Sequence, residues 1–452
     1  LPEMRFKNRN KDKKAWVVST IMGLGHIRPA YSLRDLAYEG IIMQGSRRYS
    51  TTEETKLWRK MRNFYYFVST AKEIPIIGRL ILSFLLYLEK IPSYYPRRDL
   101  SRPSWWSNYL RYLIEKKRLC DTIIKKIETK DLPVVNTYFA SAMAIDRMGK
   151  KNQLNYLVIC DADINRVWVP LNPRKSNIKY FAPCTQVKER LLSYGVPEKN
   201  IYLTGFPLPK ENIGSAERME ILKKDLYERL LRLDPEHKFF TYHEKSVLYF
   251  LGKKGVPRDK PGYFNLTLSI GGAGAQTDIV RDMLKSLKKK ICQNKIHVNL
   301  SAGVNEIVYH RFLKYIDEVG LNHCLGEEIK IIFDSNIYKY LDKFNLTLRQ
   351  TDVLWTKPSE LSFYCGLGIP ILLAPPIGTH EEQNKRWLQE THTAIEPAGS
   401  MKYMDEWLFD LRKHGRLAEA AWDGFLKARK LGAFRIEEVI QTGKFDENLF
   451  PA

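Results

Sequence analysis

Two apolar runs in this chain each end in glycine and pass directly into a helical pattern, and they stand about half the chain apart. The first, Ala15-Trp16-Val17-Val18-Ser19-Thr20, enters Gly23-Leu24-Gly25-His26-Ile27-Arg28-Pro29-Ala30, followed by helically spaced apolar residues at Tyr31, Leu33, Leu36 and Ala37. The second, residues 264–270, enters Gly271-Gly272-Ala273-Gly274-Ala275 and an amphipathic stretch through Lys290. A short buried strand, a glycine turn and a helix together open a parallel α/β unit. Two such openings predict an α/β protein of two Rossmann-like domains facing a central cleft.

The remaining pattern agrees. Short apolar strands are predicted at 132–136, 156–160, 179–182 and 201–204, alternating with helical stretches, and again at 297–301, 329–333, 353–355 and 371–374. Gly205-Phe206-Pro207-Leu208-Pro209 interrupts both periodicities and is the expected hinge. It separates a first domain, 1–205, from a second, 206–400, and leaves 401–452 as a tail of helices. A chain of 452 residues, 44% of them hydrophobic, can bury two such cores.

The net charge is +22, and its placement is more informative than its size. Residues 1–130 hold 27 Lys and Arg against 12 Asp and Glu. Such a surface attracts phosphate, whether in a phosphorylated substrate, in nucleic acid or in anionic lipid headgroups. Neither a zinc finger nor an RNP-type aromatic motif is present, so no specific nucleic-acid partner is expected.

Within that basic third, residues 74–88 are apolar but interrupted by Pro75 and Arg79, short of the roughly 20 residues a spanning helix needs. Aromatic and basic residues flank the segment, Phe64-Tyr65-Tyr66-Phe67 before it and Tyr94-Tyr95-Pro96-Arg97-Arg98 and Trp105-Trp106 after it. Rings and cations around an apolar segment suit the bilayer interface. The insertion 55–110 is therefore expected to dock on an anionic membrane through Arg79, Phe84, Arg97, Arg98, Trp105 and Trp106. Packing of 74–88 in the first core is the alternative.

The six cysteines are scattered, with no C-x-x-C pair and no Cys/His cluster at zinc-ligand spacing, and no secretory leader follows Met4. These features predict reduced thiols, no bound metal, and a cytoplasmic protein that sits peripherally on the inner face of the membrane.

Three constellations can carry chemistry. His26 stands just after the first strand, at the edge where open α/β sheets bind ligands, and a neutral imidazole there can take a proton from an attacking hydroxyl. A turn-capping role is its structural alternative. Gly271, Gly272 and Gly274 leave backbone N–H groups open to a diphosphate at a helix start, or serve tight strand–helix packing. Thr356-Lys357-Pro358-Ser359-Glu360 and Thr379-His380-Glu381-Glu382-Gln383-Asn384 follow two later strands. Carboxylates and amides of this kind bind vicinal hydroxyls of a ribose or sugar, although acidic residues at helix starts are also simple caps.

Taken in order, Gly23-x-Gly25-His26-x-x-Pro29, the loop at 271–275, Ser359-Glu360, Gly368-Ile369-Pro370 and Glu381-x-x-Asn384 resemble the GT-B glycosyltransferases. They are similar to the monogalactosyldiacylglycerol synthases and the lipid II GlcNAc-transferases. Val158-Ile159-Cys160-Asp161, Trp168 and Tyr180-Phe181-Ala182-Pro183 extend the resemblance, which spans about 16–395. It implies a first domain for the acceptor and a second for a nucleotide sugar, in that family mostly a UDP-sugar, used as co-substrate with no further cofactor. It also implies Gly271, Gly272 and Gly274 as the diphosphate loop, and Ser359 and Glu360 at the ribose. Glu381, Gln383 and Asn384 then face the donor sugar, and His26 the acceptor. Attack by a base-assisted hydroxyl implies inversion, with no metal. Where the family often has histidine between the aspartate and the tryptophan, this chain has Asn165 and Arg166.

Other readings remain open at this level. Asp161-x-Asp163 at the end of a strand matches the metal-holding string of GT-A transferases. A nucleotide-sugar 2-epimerase would share the two-domain fold. A non-catalytic protein binding anionic lipid would account for the charge alone.

Overall fold

A computed structural model describes residues 13–70, 90–252, 255, 262–269, 278–376 and 378–446. They form two compact units, Leu1–Leu208 with Arg429–Pro451, and Pro209–Ala428.

The first unit is built on a six-stranded parallel sheet. Its strands are β1 (Trp16–Thr20), β2 (Ile42–Gln44), β3 (Val134–Asn136), β4 (Asn155–Val158), β5 (Ile178–Phe181) and β6 (Ile201–Tyr202), in the order β2-β1-β3-β4-β5-β6. Helices cover both faces of such a sheet, so its strands read as continuous apolar runs, and Trp16, Val17 and Val18 are wholly buried. Register is fixed in part by buried amides. Asn136 donates to the Asn155 side chain and to the Tyr156 carbonyl, both at 2.9 Å, while Asn155 donates to Ala142 O at 2.8 Å.

The second unit repeats the scheme with β7 (Phe264–Ser269), β8 (Ile296–Gly303), β9 (Ile329–Phe333), β10 (Val353–Thr356), β11 (Ile371–Leu373) and β12 (Ala394–Ile395), in the order β12-β11-β10-β7-β8-β9, all parallel. Arg229, buried in the helix Glu220–Leu233, donates to the carbonyls of Leu348, Thr351, Leu367 and Gly368. One guanidinium thus satisfies four acceptors around the start and finish of the β10 region. Burial lowers its pKa to about 10. Arg232 pairs with the buried Asp352 at 2.8 Å, and Asp352 also accepts from Asn265 N on β7.

The expected C-terminal tail, 401–452, is not one body. Helices Met404–Lys413 and Arg416–Lys427 belong to the second unit, whereas Gly432–Thr442 belongs to the first. Its Ala433, Ile436, Val439 and Ile440 are buried, and its start lies on the backbone of 205–206. A Cβ on Gly432 would meet Phe206 O at 2.3 Å and Gly205 O at 2.4 Å, so only glycine fits. The sequence could not place this helix, because its apolar face looks the same whichever core it covers. The first unit ends at Leu208 rather than at 205, since 206–208 are buried within it.

Candidate functional site

In each sheet the chain runs outward from a first strand, then crosses to that strand's other side. These switch points lie between β1 and β3 and between β7 and β10, and open parallel sheets bind ligands at such points, at the carboxyl ends of their strands.

His26 lies at the first switch point, in the opening turn of the helix Leu24–Ser32 that follows β1. Gly23, at φ 139°, makes the turn between strand and helix in a conformation that side-chain-bearing residues rarely adopt. The hydroxyls of Ser19, on β1, and Thr137, just after β3, each donate to His26 O at 2.8 Å. The imidazole Nδ1 lies 2.8 Å from Thr137 O. A carbonyl only accepts, so Nδ1 carries the hydrogen of that bond and the neutral ring keeps its lone pair on Nε2. The half-buried ring stands edge-on to Tyr138, 4.8 Å between centroids, and 6.1 Å from Trp168. Orientation and tautomer are both set, as general-base chemistry requires.

At the second switch point Thr356, the last residue of β10, donates its hydroxyl to Ser269 O at the end of β7, 2.8 Å away. Glu360 opens the 3-10 helix Glu360–Leu367 and is buried. Glu381 and Asn384, buried and one turn apart, share the inner face of the helix Thr379–Glu390, while Glu382 is exposed and Gln383 half-buried. Asn384 donates to Pro358 O at 3.1 Å, which fastens that face to the loop carrying Ser359 and Glu360. Ser359 is half-buried at the start of the 3-10 helix. The structure thus brings Ser359, Glu360, Glu381 and Asn384 to one edge of one sheet. Gly271, Gly272 and Gly274 lie outside the described residues, as do Arg79 and Phe84.

The described acceptor-side candidates sit on the surface of the first unit. Arg97 is over the Tyr94 ring at 5.8 Å and 3.9 Å from Glu189, and Arg98 donates to Pro96 O. Both line a concavity with Tyr94, Leu100, Glu189 and Ser193. Trp105 is 60% exposed and stacks on Tyr109, 5.3 Å between centroids, while Trp106 is half-buried. Tyr112 continues the exposed row, so the helix Trp105–Lys117 presents aromatic rings at positions 105, 109 and 112.

Asp163 does not have the surroundings of a metal ligand. It is buried in a two-bond pair with Arg190, 2.8 Å to each oxygen, and also accepts from Gln186. Arg166 is spent on the carbonyls of Ser101, Val169 and Pro170. Among the described residues, the metal-competent group of three side chains is Cys292, His323 and Cys324, none of them at a switch point.

Two parallel six-stranded sheets, each with its own switch point, make two Rossmann-like units. The fold is GT-B. A family described as Domain of unknown function (DUF6938) matches residues 321–432, which include Glu360, Glu381 and Asn384. The chain is 22% identical over 398 residues to a processive diacylglycerol beta-glucosyltransferase of Bacillus cereus strain G9842, covering 85% of this chain and 82% of that protein. The match to the protein of the same name from strain 03BB102, also at 22% identity, spans 66% of this chain and 62% of that relative. Over these spans the chain is similar to enzymes named as glucosyltransferases. Among solved structures, the GT-B chain overlaps Acinetobacter baumannii MurG at TM-score 0.48 and 11% identity, covering 95% of this chain and 99% of the other. It overlaps the UDP-GlcNAc 2-epimerase of Neisseria meningitidis at TM-score 0.44 and 12% identity, with the same coverage. Neither overlap bears on activity.

The sequence singles out His26 as a candidate but carries no sign of what holds it. Thr137 and Tyr138 come to the imidazole only because β3 lies beside β1, and strand order has no signature in the residues themselves.

Proposed function

We propose that this protein transfers a sugar from a nucleoside diphosphate, as a UDP-sugar, to a hydroxyl of a lipid-linked acceptor. The observation that carries the proposal is the His26 imidazole, held through Nδ1 by Thr137 O so that Nε2 is the basic nitrogen at a ligand-binding sheet edge. In the step, the acceptor hydroxyl gives its proton to Nε2 as its oxygen attacks the anomeric carbon. The bond from that carbon to the diphosphate breaks, and the nucleoside diphosphate leaves. Attack opposite the leaving group inverts the anomeric centre. On the donor side Glu360 accepts from the ribose hydroxyls, and Glu381 and Asn384 bind the sugar, with Ser359 and Gln383 beside them. Backbone N–H groups and a helix start can stabilise a leaving diphosphate, so the reaction is expected to run without a metal.

The lipid acceptor is supported by the acceptor named for the Bacillus relatives and by the surface of the first unit. Trp105, Tyr109 and Tyr112 form an exposed ring row close in sequence to Arg111, Lys116, Lys117 and Arg118. Each cation near an anionic bilayer adds about 1 kcal/mol of attraction. No described helix is long and apolar enough to cross a membrane, so attachment is proposed to be peripheral.

The deciding experiment incubates the protein with labelled UDP-sugars and total lipid in EDTA. Labelled lipid with inverted anomeric configuration by NMR is expected. Thermal shifts should rank UDP above GDP, dTDP and CMP, and a protein indifferent to every nucleotide would sink the assignment. Co-sedimentation with vesicles should rise with the anionic lipid fraction, fall with salt, and weaken when Trp105 and Tyr109 are both changed to Ala.

A further inference from the structure

A different cluster lies at the other edge of the second sheet. The helix Asp278–Cys292 follows β7 and runs back across the sheet, so its last residue, Cys292, sits where the next strands begin. The short turn Asn322–Cys324 precedes β9 and reaches the same edge. There the Cys292 Sγ, a ring nitrogen of His323 and the Cys324 Sγ all lie within 4.8 Å of one another. Residues 31 apart in sequence thus meet in space, which is why spacing rules found no site.

We propose that Cys292, His323 and Cys324 bind Zn²⁺ through two thiolates and one imidazole. The separation of Cys292 Sγ from His323 Nε2 is 3.6 Å. Zinc with Zn–S of about 2.3 Å and Zn–N of about 2.0–2.1 Å in tetrahedral geometry gives an S···N edge of about 3.6 Å. Two sulfurs and an imidazole are a soft to borderline donor set, which takes zinc rather than calcium or magnesium. Cys292 and His323 are exposed and Cys324 is buried, so a metal ion can enter from solvent and keep a water as its fourth ligand.

Both arms are held in place before any metal arrives. Asn322 Nδ2 donates to Asp317 at 2.6 Å and Cys324 N to Leu321 O at 3.0 Å, fixing the turn. Lys288, one turn before Cys292, donates to Val319 O at 2.7 Å and ties the helix to the segment leading into that turn. Cys292 is also at the carboxyl end of its helix, where the backbone dipole favours a cation. The ion would clip the β8 crossover to the helix before it, on the edge away from Glu360, so its role is structural and independent of sugar transfer.

The test titrates Co²⁺ into the full-length protein after removal of metal and reduction of thiols. One equivalent should produce thiolate-to-cobalt charge-transfer absorption and visible bands of a tetrahedral site, and Zn²⁺ should displace them. Zn²⁺ should also raise the melting temperature. Cys292→Ser and His323→Ala, both exposed and therefore tolerated by the fold, should each weaken cobalt binding by at least about tenfold and abolish the zinc-dependent rise. Failure of cobalt bands to appear, or bands unchanged in both variants, overturns the site. So does a Cys292–Cys324 disulfide without bound zinc in protein isolated aerobically with zinc present.

Discussion

The two units use one device at their switch points and hang different chemistry on it. In the first, Thr137 closes β3 onto the segment after β1 through its hydroxyl; in the second, Thr356 closes β10 onto the end of β7 in the same way. Beyond this shared brace they diverge. The first presents an imidazole in a fixed tautomer, which suits removal of a proton. The second presents buried carboxylates and an amide, which suit the grip of hydroxyls.

If this division of labour is right, single substitutions should separate the two functions. His26→Ala should have the largest effect, lowering turnover by about 10²–10⁴-fold with nucleotide affinity unchanged, as steady-state rates and a UDP thermal shift would reveal. Near-normal turnover would reduce His26 to a turn-packing residue. Glu360→Gln should do the reverse. It replaces an acceptor-only group that faces two donors, so donor affinity should fall by about 10- to 150-fold, equivalent to about 1.5–3 kcal/mol. Calorimetric titration of the donor measures this, and unaltered affinity would remove Glu360 from the site.

The smallest effects test the braces themselves. Thr137→Val removes a hydroxyl that reaches Val18 O, Ser19 Oγ and His26 O, and Thr356→Val one that donates to Ser269 O; each should cost about 0.5–1.5 kcal/mol of stability in urea titrations. Their kinetic signatures should differ, with Thr137→Val lowering kcat and Thr356→Val raising the donor KM. Identical signatures would erase the distinction between the units.

Much of this comparison was legible in the residues. Buried parallel strands announce themselves as short apolar runs, so ten of the twelve were placed, including β1 and β7 with their helices. The missed strands, β2 and β12, are three and two residues long and lie at sheet edges. His26, Glu360, Glu381 and Asn384 stand out as candidates because each follows a strand. Their partners do not, since Thr137 reaches His26 across 111 residues and Thr356 reaches Ser269 across 87. Asp163 kept a second reading open for a related reason. An Asp-x-Asp string looks the same whether its carboxylate is open to an ion or locked on Arg190, and the arginine is 27 residues away.

The return of Gly432–Thr442 to the first unit sets an order of events during synthesis. When the ribosome has made residue 208, every strand of the first sheet exists, yet the helix that covers its Leu203–Phe206 end lies more than two hundred residues ahead. At about 5–20 residues per second that surface waits roughly 10–45 seconds for its cover. The nascent first unit is therefore incomplete for as long as the second is being made, and a fragment ending at Leu208 should expose the bed of Ala433, Ile436, Val439 and Ile440 and bind chaperones that the finished chain does not.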